Sequence, residues 1–116
     1  MTPKQITAAN ADEKIRQLYE TAFPEDEQIP WKDLMRLVED MPLDFTAYYN
    51  GEKFIGFTIV YPRKSINRFW YFAVCEKLRG KGYGQKILTQ MIGQFFVPLF
   101  LFLQQLTTIG AIFYPI

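Results

Sequence analysis

The chain has 116 residues, 49% apolar and 17% aromatic, a composition that suits one small packed domain and not a disordered segment. Its net charge of +1 provides no broad field for capturing nucleic acid or an anionic membrane. Histidine is absent and Cys75 is the one cysteine, which removes Ser-His-Asp and Cys-His catalysis, His-ligated zinc, Cys-rich metal sites and any internal disulfide.

Residues 4–7 read as a short opening strand. Asn10 or Asp12 can cap a helix whose apolar stripe is Ile15, Leu18, Tyr19 and Ala22. Phe23-Pro24 ends it, because proline disfavours helical geometry in the residue before it. The acidic run Glu25-Asp26-Glu27 and Pro30 lead to a second short helix with Trp31, Leu34, Met35 and Val38 on one face, stopped by Pro42. Residues 43–49 alternate as a strand, Asn50-Gly51 signals a tight hairpin, and residues 53–61 return as a strand apolar on both faces. A turn at 62–65 and a long strand at 66–75 follow. From Gln85 a helical period returns, with Ile87, Leu88, Met91, Ile92 and Phe95 facing one way. Residues 97–103 read as a final strand.

The segment with chemical content joins the long strand to that helix: Glu76-Lys77-Leu78-Arg79-Gly80-Lys81-Gly82-Tyr83-Gly84. The first amides of a helix lack internal partners and point outward with partial positive charge. Glycines at 80, 82 and 84 let main chain approach a phosphate, and Arg79 and Lys81 add full charges. A Walker loop requires Gly-Lys-Ser/Thr, which is missing. A dinucleotide fingerprint requires a third glycine one residue later and an acidic residue downstream, and no acid follows Glu76.

The remaining pattern, Arg79-x-x-Gly82-x-Gly84 after an apolar strand, resembles the acetyl-CoA pyrophosphate loop of the Gcn5-related N-acetyltransferase (GNAT) superfamily. The element order over residues 4–103 resembles that family too. The resemblance implies an α/β fold with a mixed, mainly antiparallel twisted sheet flanked by helices, here cut short after the fifth strand. It implies a single, incomplete domain over 1–116. It implies that Phe72, Ala73 and Val74 offer main-chain groups to the pantetheine arm, and that Gly80, Lys81, Gly82, Tyr83 and Gly84, with Arg79, hold the pyrophosphate. The implied reaction is acetyl transfer from acetyl-CoA, without a metal, to a primary amine on a small molecule or peptide. Oxyanion stabilisation by main-chain donors, a base and an acid complete it.

Many members of the family place a Glu on the strand before the loop, whereas residues 66–75 contain no acid. Glu25, Asp26, Glu27 and Asp44 stand as candidate bases, beside a water relay. Cys75 as an acyl carrier is the weaker reading beside plain packing.

Residues 87–116 carry no charge, and 95–116 form an atypical apolar tail. By the family's pattern, Tyr114 takes the place of the general acid, although Pro115 breaks a helix there. Three accounts of the tail stay open: a truncated or frame-shifted product that is a CoA-binding remnant, a short member that completes its sheet by homodimerisation through an open edge, and a membrane span. A lone thiol and an N-terminus without a signal peptide make the cytoplasm the expected location, with no membrane or nucleic-acid partner.

Overall fold

The computed structural model describes residues 1–41, 43–61 and 68–95. Four strands form one sheet in the order β1-β2-β3-β4, with β1 Thr2–Gln5, β2 Asp44–Asn50, β3 Lys53–Tyr61 and β4 Arg68–Val74. Every neighbouring pair is antiparallel. Helices α1 (Glu13–Ala22) and α2 (Trp31–Asp40) follow β1, and α3 (Tyr83–Phe95) follows β4. Pro42, the turn at 62–65, the expected strand at 97–103, Tyr114 and all of the tail beyond Phe95 lie outside the described residues.

The opening strand lies two residues earlier than 4–7, at Thr2–Gln5. Thr7 is drawn into a turn instead, its amide donating to Asn10 Oδ1 at 2.7 Å. Asn10 is thereby engaged, and its Nδ2 donates to Gln5 O at 3.0 Å. Capping of α1 falls to Asp12, whose carboxylate accepts from Ile15 N at 3.1 Å. The apolar stripe of α1 is buried as its spacing requires: Ile15, Leu18, Tyr19 and Ala22. In α2 only Leu34 is fully buried, while Trp31, Met35 and Val38 pack part-buried on the same cluster. Helix α3 begins at Tyr83, two residues before the apolar period starts, because the glycine loop ends directly in its first turn.

The sheet separates two cores. One face packs Phe45, Ala47, Phe57, Ile59, Tyr71 and Ala73 against α1 and α2. The other packs Tyr48, Ile55, Val60, Phe72 and Val74 against Ile87, Leu88 and Met91 of α3.

Register shifts at both ends of β3 set which residue faces which core. Between Tyr48 and Tyr49 the partner jumps from Gly56 to Phe54, leaving Ile55 as the extra residue. Between Ile59 and Val60 it jumps from Tyr71 to Phe69, leaving Trp70. Each bulge flips the alternation, so Phe54 and Phe57 share a face although three residues apart. The Asn50-Gly51 hairpin forms with Asn50 paired to Lys53 and Gly51 at φ +64°, the first of the two central residues. No helix among the described residues is long and apolar enough to cross a membrane.

Candidate functional site: the loop between β4 and α3

The end of β4 has its main chain sorted by the ladder. Cys75 N donates to Ile55 O at 2.9 Å, and Ala73 O lies where a Cβ on Gly56 would stand, so Cys75 and Ala73 turn toward β3. Alternate residues of an antiparallel strand turn the other way. Val74 does so, and its carbonyl accepts Arg79 Nε at 2.9 Å. Phe72, two residues earlier, shares that orientation. Of the three residues expected to offer main-chain groups to a pantetheine arm, Ala73 is therefore directed into the sheet, and the Val74 carbonyl already has a donor.

Arg79 was expected to add its charge to a phosphate. In the structure its Nε reaches back to the strand it follows, tying the loop to the last residue of β4. A 3-10 turn over Glu76–Leu78 makes the bend, with Leu78 N donating to Cys75 O at 2.8 Å. Leu78 is buried against the α3 core and anchors it.

Beyond Arg79 the main chain is open. Gly80 and Gly82 adopt φ +79° and +84°, a region that costs an L side chain about 1–2 kcal/mol. A Cβ at either would meet nothing within 4 Å, so space lies above both. The first amide of the helix region to find an acceptor is Lys86 N, to Gly82 O at 3.3 Å. The N–H groups of Gly80, Lys81, Gly82, Tyr83 and Gly84 have no acceptor among the described residues. This row of donors at the N-terminus of α3 has the chemistry of an anion cradle.

Two contacts that periodicity did not signal surround the loop. Asn50 Nδ2 reaches Tyr83 OH at 3.5 Å, joining the hairpin tip to the start of α3, and Lys86 Nζ stands 5.8 Å over the Tyr83 ring. An open depression of about 470 Å³ lies beside the loop, lined by Lys53, Cys75, Glu76, Lys77, Leu78 and Lys81. Cys75 is half-buried; desolvation pushes its thiol pKa up, and the charges of Arg79 and Lys14 only partly offset this. A raised thiol pKa suits packing better than acyl carriage.

The candidate bases separate. Asp44 pairs with Val60 at the end of β2 remote from the hairpin, so the structure does not bring it to the loop. Burial raises its pKa, and a hydrogen bond from Thr46 Oγ1 opposes that. The Glu25–Glu27 turn is exposed, and Tyr71 OH donates to Glu27 O at 2.7 Å, which fixes the turn to β4.

The Acetyltransferase (GNAT) family profile matches residues 12–104. The chain belongs to the GNAT acetyltransferase family. Among solved structures, the fold of this GNAT domain is similar to a Bacteroides thetaiotaomicron protein assigned to the GNAT acetyltransferases, with a TM-score of 0.75 at 18% identity. That match covers 82% of this chain and 56% of the other, so the chain spans little more than half the length of its structural relative. No curated protein matches the chain.

Proposed function

We propose that this GNAT domain transfers an acetyl group from acetyl-CoA to a primary amine. The observation that carries the reading is the run of amides from Gly80 to Gly84 that lack acceptors among the described residues, set at a helix N-terminus with open space over Gly80 and Gly82. A diphosphate satisfies such a row, and coenzyme A carries one. Phe72 and the Val74 amide would hold the pantetheine arm along the β4 edge. Lys81 would add charge beside the diphosphate, while Arg79 keeps the loop on its strand.

The amine nitrogen attacks the thioester carbonyl; a C–N bond forms, the C–S bond breaks and CoA leaves as the thiolate. An alkylammonium titrates near pH 10, so it must lose a proton before attack. The described part of β4 has no carboxylate. The exposed Glu25–Glu27 turn, held to β4 through Tyr71, would draw the cationic acceptor in and take the proton through water. Tyr114 stands as the sequence-derived acid for the departing thiolate.

The absence of a carboxylate on β4 favours one other reading, a domain that binds CoA without turning it over. Calorimetry with CoA, run beside a thiol-release assay over a panel of primary amines, tests both. Binding together with amine-dependent thiol release supports the transferase. Binding without release supports the second reading, and no binding overturns both.

A further inference from the structure

The connector between α1 and α2, residues 23–30, is exposed from Pro24 to Glu27, and its one turn buries no side chain. A surface segment of that kind is ordinarily the mobile part of a fold. Here three side chains hold its main chain. Tyr71 on β4 donates its hydroxyl to Glu27 O at 2.7 Å. Tyr19 on α1 accepts from Ile29 N at 2.8 Å and donates to Ile29 O at 2.9 Å. Gln28 Nε2 folds back on the end of α1, donating to Glu20 O at 2.9 Å and to Phe23 O at 2.7 Å. Both phenols are buried and their rings meet edge-on at 5.3 Å, so neither swings away from its partner without opening the core. Within the connector, Glu27 N donates to Pro24 O and Gln28 N to Glu25 O, while Pro24 and Pro30 fix φ near its two ends.

We infer that this connector is a strap already fastened in the free chain, and that Tyr71 is the positioning residue that fastens it to β4. The inference rests on the proposed reading in which the amine acceptor enters over the Glu25–Glu27 turn, and deepens it. Tyr71 directly precedes Phe72, the residue proposed to hold the pantetheine arm. One strand would then meet the coenzyme with its main chain while it holds the acceptor-side turn with a side chain. A turn fixed to that strand gives the incoming amine a preformed wall. A ligand shifts only an equilibrium whose states it binds differently, and a fastened strap offers it no second state. Coenzyme binding therefore has no ordering left to do on the acceptor side, and the two substrates bind in either order.

Hydrogen exchange on the full chain, with and without saturating CoA, tests this. The amides to follow are those of Glu27, Gln28 and Ile29, each of which has an acceptor. They should be protected in the free chain, and CoA should leave them unchanged. Fast exchange in the free chain that slows when CoA is added is the behaviour of a closing lid and overturns the inference. Tyr71→Phe keeps the ring and removes the hydroxyl. It should speed exchange at these amides about tenfold, the scale of one lost hydrogen bond, and leave the amides of β2 and β3 as they were. Gln28→Ala, at a half-buried position, should loosen the same amides without touching the core. Unchanged connector exchange in Tyr71→Phe, or an equal rise through the whole sheet, removes Tyr71 from the role. A steady-state arm, with an amine that the parent turns over in the thiol-release assay, separates positioning from stability. Tyr71→Phe should raise the KM for that amine by up to about tenfold, with kcat and CoA affinity kept. A fall in kcat alone counts against the inference. If CoA does not bind, or no amine is turned over, the coenzyme or the transferase reading falls, while exchange in the free chain and in the two variants still decides whether the strap is fastened.

Discussion

The phenol of Tyr19 closes both main-chain hydrogen bonds of Ile29, accepting from its N–H at 2.8 Å and donating to its carbonyl at 2.9 Å. Tyr19 is fully buried, and its ring meets Tyr71 edge-on at a centroid distance of 5.3 Å. Burial and the neighbouring Tyr71 hydroxyl push its pKa well up, so it stays neutral and keeps its proton for the Ile29 carbonyl. One side chain of α1 thus fixes the chain just before α2. Tyr19→Phe should cost about 1–3 kcal/mol, the usual penalty for leaving buried polar groups unpaired. Chemical denaturation measures the loss, and the Ile29 amide should exchange faster with solvent.

Gly56 is needed for a reason of space. Its φ is unremarkable, but a Cβ there would collide with the Ala73 carbonyl on β4. The obstacle is main chain and cannot rotate away. Gly56→Ala should destabilise the fold by about 1–3 kcal/mol, as overpacking does. The unfolding midpoint in urea reads this directly.

Gly82 and Gly51 separate strain from function. Both have positive φ, +84° and +64°, and a Cβ at either meets open space. Alanine at either should cost about 1–2 kcal/mol of stability through backbone strain alone. Only at Gly82 does the new methyl enter the space above the open amides. Gly82→Ala should weaken CoA binding at least tenfold, whereas Gly51→Ala should leave it unchanged; calorimetry on the two folded variants makes the comparison.

Asp44 predicts a pH dependence of stability. Its folded pKa lies above the ordinary value of 3.8, chiefly through burial. The folded state then binds more protons than the unfolded state between 3.8 and that raised value. Stability therefore falls as pH rises through this window and levels off above it. Asp44→Asn can still accept from Thr46 and removes the titration. Thermal melts should show the variant gaining on the parent as pH rises above 3.8, with little difference at the acid end.

Cys75 should be a slow thiol. Burial raises its pKa, which lowers the thiolate fraction at neutral pH, and the thiolate is the nucleophile. Alkylation of the native chain by iodoacetamide at pH 7.5, followed by mass spectrometry, should run well below the rate of the chain in denaturant.

The sequence made the helices legible because Ile15, Leu18, Tyr19 and Ala22 keep one period, as do Ile87, Leu88 and Met91. The hairpin was legible in Asn50-Gly51, and the open turn of the β4–α3 loop in its glycines, since these residues act through their own main chain. The bulges were not. Phe54, Ile55 and Phe57 are all apolar, so a strand buried on both sides hides which residue has slipped. Tyr19 and Tyr71 read as core because their rings are core; nothing in the period marks which main-chain group a phenol will reach. The tie from Arg79 to Val74 was hidden for a similar reason. Its charge is visible in sequence, but its reach to Val74 depends on the path of the 3-10 turn. Lys53 belongs to the loop's surroundings only because β3 and β4 pair, a long-range contact with no local signature.

The four residues of β1 are all exposed and pair with β2 across a gap in the chain filled by both α1 and α2, Thr2 opposite Tyr49. Strands β2, β3 and β4 instead follow one another directly and form a meander. Closing a long loop costs entropy before it returns any contact, so the meander can assemble early while the amino-terminal ribbon docks late. The same ribbon, with no buried side chain of its own, should be the first part of the sheet to peel away in the native state.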